Sequence, residues 1–169
     1  MKAGRQELMI FLKDLAIDTK TYDHEAVFSV SESEAIKINM PGGHTRNLFL
    51  KDKKENYFLI TLGSHAPLDL KTLHTKIGAS GRLSFGSAEK LDEYLGIYPG
   101  AVSVFCLIND IHHNVTLILD KALTENELIN AHPMTNQATT TIHRQDLIRF
   151  IEATGHKPHI IKVSDDIDI

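Results

Sequence analysis

Apolar positions along this chain follow two periods, and the change from one to the other marks out its elements. Leu8, Phe11, Leu12 and Leu15 recur at helical spacing, which predicts an N-terminal helix over 5–16 with one side on a core. Ser31-Glu32-Ser33-Glu34 has the capping-box form, predicting a short helix to about Ile38 that Met40-Pro41-Gly42-Gly43 closes. The runs 47–50 and 57–62 predict two strands joined by the charged turn 51–56. Leu70, Leu73 and Ile77 share one face ahead of Gly78, predicting a helix over 68–77 with a glycine C-cap.

The second half continues the mixture. Arg82–Phe85 reads as a short strand, and Ser87 caps a helix through Leu91, Tyr94 and Leu95 that stops at Gly96. The apolar, β-branched runs 101–108 and 114–119 flank the polar stretch 109–113, predicting a second hairpin. A strand over 139–142, a closing helix marked by Leu147, Phe150 and Ile151, and a strand over 159–163 follow, and the acidic tail 164–169 reads as a frayed end. Hairpins interspersed with helices imply a mixed α/β (α+β) domain rather than a regular βαβ array: one compact unit over 1–169, with a mixed, largely antiparallel sheet flanked by helices.

Composition narrows the class. At 169 residues the chain is of a size for one compact core. With 42% hydrophobic and 24% charged residues it is ordinary for a soluble protein, and no apolar run nears the roughly 20 residues that span a bilayer. The N-terminal stretch has scattered charges and no uninterrupted apolar segment, so it does not read as a secretory signal, and a cytoplasmic location is expected. The one cysteine, Cys106, lies in an apolar run and reads as a buried small hydrophobe. A net charge of −4 and a pI near 6.2 argue against a protein that coats nucleic acid. They leave room for one that touches only an RNA end.

Spacing excludes several chemistries. Ten histidines raise the question of a metal, yet His112/His113 and His156/His159 have no nearby cysteine and no H-E-x-x-H or C-x-x-C occurs, so no metal or cofactor is expected. G-x-S-x-G, Walker and G-x-G-x-x-G patterns are absent, and Gly78-Ala79-Ser80-Gly81 reads as a helix end. What remains are polar residues at strand ends: Arg46, Asn47, Ser103, His132, Asn136 and Thr139. Arg46 offers a planar fork of donors for phosphate or carboxylate oxygens. His132 precedes Pro133, which holds its backbone extended. The residues alone describe a pocket of neutral and cationic donors with no evident nucleophile.

Four segments in one order carry a resemblance: Thr45-Arg46-Asn47-Leu48-Phe49-Leu50-Lys51-Asp52, the run from Leu95 through Gly96-Ile97-Tyr98-Pro99-Gly100-Ala101-Val102-Ser103-Val104 to Phe105, Ile108-Asn109-Asp110, and His132-Pro133-Met134-Thr135-Asn136-Gln137 with the threonines after it. In this the chain resembles bacterial free-standing prolyl-tRNA editing proteins of the YbaK/ProX superfamily, over nearly its whole length. The resemblance implies hydrolysis of the ester joining a wrong amino acid, typically alanine, to the terminal adenosine of proline tRNA. Water would attack without a covalent nucleophile, assisted by a free ribose hydroxyl of the substrate.

Carried over residue by residue, the resemblance makes Arg46, Asn47 and His132 the catalytic group. Gly100, Ala101, Ser103 and Val104, with Asn136, become the substrate-binding loops. The implied partner is aminoacyl-tRNA at its acceptor end, with prolyl-tRNA synthetase or an elongation factor as a further partner, no membrane and no specific DNA. Lys51, Lys53, Lys54 and Arg82 would join Arg46 in a local basic patch. The chain departs from the family pattern twice, with Arg46 where lysine is usual and Val104 where the G-x-x-x-P loop has proline. These departures keep open a deacylase of altered amino-acid choice and, in a different class, a noncatalytic module that binds tRNA or aminoacyl-adenosine.

Overall fold

The computed structural model describes residues 2–26 and 40–166; the helix expected from Ser31 to Ile38 lies outside the described residues. Four α-helices are described, α1 (Arg5–Asp14), α2 (Leu73–Ile77), α3 (Ala88–Leu95) and α4 (Arg144–Ala153), with strands β1 (Thr19–Asp23), β2 (Gly43–Lys51), β3 (Tyr57–Gly63), β4 (Ser84–Phe85), β5 (Val115–Asp120), β6 (Leu128–Ala131), β7 (Ala138–His143) and β8 (His159–Ile161).

All eight strands join one sheet in the order β1-β7-β6-β2-β3-β5-β8, with β4 paired to β2 off that path. Four pairings are antiparallel (β1/β7, β2/β3, β2/β4, β6/β7) and three parallel (β2/β6, β3/β5, β5/β8). The sheet is mixed, as expected, and antiparallel pairings lead.

The centre is β3, all but its last residue buried. Alternation sends Tyr57 and Leu59 to one face and Phe58, Ile60 and Leu62 to the other. The first face meets α1, α3 and α4 through Leu8, Leu12, Leu91, Leu95, Leu147, Phe150 and Ile151; the second packs under α2 through Leu73. A strand buried on both sides reads as a continuous apolar run, which is why 57–62 was legible. The helix over 5–16 is found as Arg5–Asp14, with Leu8 and Leu12 buried and the Gly4 amide donating to Glu7 Oε2 at 3.1 Å. Ser87 caps α3 by accepting from the Lys90 amide at 3.1 Å, and Gly96 ends it with φ +59.

The expected hairpin of 101–108 with 114–119 does not form. Only the second run is a strand; Val104–Asn109 is a 3-10 helix, with Ser103 as its N-cap accepting from the Phe105 amide at 3.1 Å. The run is buried at all but Val102 and Ile108, which are partly buried, and an apolar run of this length has no period to separate strand from helix. The helix expected over 68–77 is shorter, starting at Leu73 rather than 68, though Gly78 ends it left-handed with φ +70. Two strands went unpredicted: β1, polar and at the sheet edge, and the four-residue β6. The tail behaves differently from a frayed end over its first residues. Ser164 is buried, its amide reaches Asp120 Oδ1 at 3.3 Å, and the Asp165 amide reaches the Pro67 carbonyl at 2.8 Å.

Two buried carboxylates shape turns. Asp110 accepts from the amides of Asn114 and Val115 and faces His156 Nε2 at 2.9 Å, tying the start of β5 to the end of α4. Asp52, 4% exposed, accepts from the amides of Lys54, Asn56 and Ser80 and from the Asn56 side chain. Burial by itself pushes the Asp52 carboxyl up; the Asn56 amide group and the three backbone donors outweigh it and bring the carboxyl down to about 2. A depressed carboxyl stabilises the fold above its unfolded value of about 3.9 and loses that contribution as pH falls towards 2. Unfolding free energies of the protein and of Asp52→Ala, measured by urea titration, should therefore differ by about 2 kcal/mol or more at pH 7, with donors left unpaired in the variant, and should converge towards pH 2.5.

Candidate functional site

The site is built where β2 changes neighbours. On one edge β2 pairs with β3 from Thr45 to Lys51. On the other it pairs with β6 only at Gly43 and His44 and with β4 only at Leu50 and Lys51. Between these, residues 45–49 have no partner on that edge among the described strands. Thr45 Oγ1 donates to the Asn130 carbonyl at 2.8 Å, and Asn47 Nδ2 donates to the Val102 carbonyl at 3.2 Å. The loop before the 3-10 helix is thus drawn to the open edge of β2.

Asn47 is fixed from both ends. Its Oδ1 accepts from the hydroxyl of Thr61 at 2.6 Å, its cross-strand neighbour, which is fully buried. The Val102 carbonyl, which can only accept, assigns oxygen and nitrogen in the amide, leaving the second Nδ2 proton for a ligand.

His132 is reached through Ser103. The Ser103 hydroxyl donates to the His132 carbonyl at 2.6 Å, joining the 98–103 loop to the 132–137 loop. His132 Nδ1 lies 2.9 Å from the Ala138 carbonyl. A carbonyl only accepts, so Nδ1 carries the proton and a neutral ring presents a lone pair at Nε2. Burial holds the His132 imidazolium below the ordinary value; the Ala138 carbonyl works against this and the charge of nearby His24 adds to it. Neutral His132 is the favoured form around pH 7.

His24 follows β1 and places its ring 6.4 Å from that of His132, with Nε2 2.9 Å from Thr139 Oγ1 and Nδ1 2.8 Å from the Glu25 carbonyl. It lines a cleft of about 590 Å³ with Arg5, Asp23, Glu25, Thr135 and Gln137. Sequence reasoning passed over His24; the one available signal was its place at the end of a polar segment not recognised as a strand.

The expected residues divide. Asn47, Ser103, His132 and the backbone of Val102 come together. Gly100, with φ +98, and Ala101, fully buried, carry the loop between them. Asn136 lies across from Gly100 and bonds Tyr98 rather than facing open space. Arg46 is not in this group. Adjacent strand residues point to opposite faces, and Arg46, exposed, donates through Nη2 to the Ala66 carbonyl at 2.7 Å on the α2 side of the sheet.

Neither nucleophilic side chain of the loop suits attack. The Ser103 proton is committed to the His132 carbonyl, and burial pushes the Cys106 thiol up to about 11. Among the described residues no three His, Cys, Asp or Glu side chains group to hold a metal ion, and no helix is long and apolar enough to cross a membrane.

This arrangement has known counterparts. Residues 24–150 match the aminoacyl-tRNA editing domain family, and the chain belongs to that family. Among its relatives, the prolyl-tRNA synthetase associated domain-containing protein 1 of Danio rerio is 40% identical over 159 residues, covering 93% of this chain and 86% of the relative. The prolyl-tRNA editing protein ProX of Acetoanaerobium sticklandii is 34% identical over 154 residues, covering 90% and 93%. A solved structure assigned provisionally as a trans-editing enzyme for prolyl tRNA synthetase shares the fold, with TM-score 0.69 and 18% identity over 96% of this chain and 98% of that one. The resemblance to prolyl-tRNA editing proteins drawn from the motifs holds.

Val104, the departure from the G-x-x-x-P loop, is the first residue of the 3-10 helix, and Ser103 before it is extended at φ −154, ψ 171. The first helical position needs no amide, and an extended residue is what proline requires before it. Val104→Pro should keep or raise the melting temperature, by the equivalent of about 0.4–1 kcal/mol, with a thermal melt as the check.

Proposed function

We propose that the protein hydrolyses the ester of mischarged aminoacyl-tRNA, with Ala-tRNA(Pro) as its substrate. The observation that carries this reading is the placement of His132 Nε2, unprotonated when Nδ1 binds Ala138, on the loop that Ser103 locks to the Asn47 edge of β2. In the reaction a water oxygen bonds the ester carbonyl carbon and the bond from that carbon to the ribose oxygen breaks. The departing ribose oxygen takes up a proton, and free amino acid and tRNA leave.

His132 Nε2 receives a hydrogen bond from the water or from the neighbouring ribose hydroxyl and orients it. Asn47 offers its second Nδ2 proton to the ester or ribose oxygen. The committed Ser103 hydroxyl and the high Cys106 thiol favour water over a covalent intermediate. Gly100, Ala101 and the Val102 backbone form the amino-acid wall, where a methylene more or less is worth about 1–3 kcal/mol. Arg46 acts from the other face on the anionic RNA backbone, its guanidinium exposed beside the Ala66 carbonyl.

The test follows loss of Ala-, Ser-, Cys- and Pro-charged proline tRNA at catalytic protein concentration. Selective multiple turnover of the alanyl species is expected. Binding without turnover would instead establish the noncatalytic module. His132→Ala should lower kcat by about 10²-fold or more, and the acid limb of the wild-type pH–rate profile should lie below the ordinary imidazole value. Arg46→Ala should raise KM with kcat little changed, and Arg46→Lys should stay near wild type; a loss of kcat in Arg46→Ala would return Arg46 to the reaction centre.

A further inference from the structure

The two loops of the site are joined twice, and the inner join, Ser103 to His132, is the more sheltered, being partly buried. The outer one is made by Tyr98. Its hydroxyl donates to Asn136 Oδ1 at 3.1 Å and accepts from the Asn136 amide at 3.3 Å. One phenol oxygen therefore binds both ends of a single residue across the mouth of the loops. Asn136 Nδ2 lies 3.8 Å from where a Cβ on Gly100 would stand, so the bond also sets how near the asparagine comes to the wall formed by Gly100 and Ala101.

The join matters because of what else holds each loop. Gly100 has φ +98, which glycine takes freely, while Met134, on the facing loop, has φ +64, uncommon for a residue with a side chain. The 98–103 loop is held from Asn47 at its Val102 carbonyl and from His132 at Ser103. Its beginning, before Gly100, is held across the gap by Tyr98. Ala101 is fully buried, so without that hold it is the stretch 98–100 that can withdraw from the 132–137 loop while Ala101, Val102 and Ser103 stay in place.

We propose that Tyr98 is a specificity-determining positioning residue, whose bond to Asn136 fixes the width of the amino-acid pocket between the Gly100 and Asn136 loops and so excludes amino acids larger than the cognate misacylated one. This rests on the deacylase reading above. Tyr98 touches neither ester nor water; it acts through Asn136 and Gly100. Asn136 is then a positioning residue as well, with its side-chain oxygen and its amide both engaged by the phenol.

Tyr98 is 48% exposed, so Tyr98→Phe removes one oxygen without opening a cavity, and water replaces it at Asn136. The melting temperature should move by no more than about 2 °C. Measured with alanyl- and prolyl-charged proline tRNA, Tyr98→Phe should keep kcat on the alanyl ester within about threefold while the ratio of kcat/KM for alanyl over prolyl ester falls about tenfold, the low end of what a methylene-sized change in a pocket is worth. Asn136→Asp, which keeps an acceptor and the amide, should retain the ratio; Asn136→Ala should lose it. Hydrogen exchange over 98–100 and 134–137 should rise in Tyr98→Phe and leave 47–50 unchanged.

An unchanged ratio in Tyr98→Phe, or an equal loss on both esters, overturns the proposal. Failure of the wild type to turn over any ester defeats the deacylase reading itself, a result visible before any variant is made.

Discussion

A strand inside a sheet needs partners for the amides and carbonyls of both its edges, and β2 has a continuous one on a single side. Its other edge passes from β6 to β4 with an interval between them, and the loop that forms one wall of the site approaches there. Asn47 closes the interval from within the sheet, taking the Thr61 hydroxyl on one atom and giving a proton to the Val102 carbonyl from the other. The 98–103 loop is thereby placed against the sheet. A wider β6 or β4 would have zipped the edge shut and left no concavity.

The electrostatics of the site are set by backbone rather than by charge. Ala138 fixes the tautomer of His132, and the carbonyl of His132 absorbs the Ser103 proton. The ionised groups with strong anchoring, Asp52 and Asp110, serve turns. Such a site suits the aminoacyl-tRNA on which its family acts, a substrate that brings its own polyanion, because the protein supplies orientation. It also explains how a chain of net charge −4 can serve an RNA substrate: the charge needed is local.

Much of this was legible in the sequence where one physical rule acted alone. The amphipathic α1, the doubly buried β3 and the Ser87 and Gly96 caps of α3 all follow from periodicity or capping. The motifs at Asn47, Ser103 and His132 likewise mark residues that the fold brings together. Reading failed where tertiary contacts decide. The run 101–108 is apolar without a period, and a serine hydroxyl turns it into a 3-10 helix. β1 is polar and takes its form from pairing with β7. Arg46 and Asn47 are neighbours in sequence and read there as one group, although strand alternation puts them on opposite faces. Tyr98 carried no signal, since its partner lies 38 residues away.

Asn109 has a reach beyond its own turn. Its side chain donates to the carbonyls of Leu95 and Ala3 and accepts from the Ala3 amide at 2.7 Å, and it stands where a Cβ on Gly96 would be. Gly96 is the hinge from which the 97–103 loop departs. The segment at Ala3 is therefore spliced into the root of the pocket wall, so that this wall is complete only when a stretch 106 positions earlier in the chain is seated against Asn109.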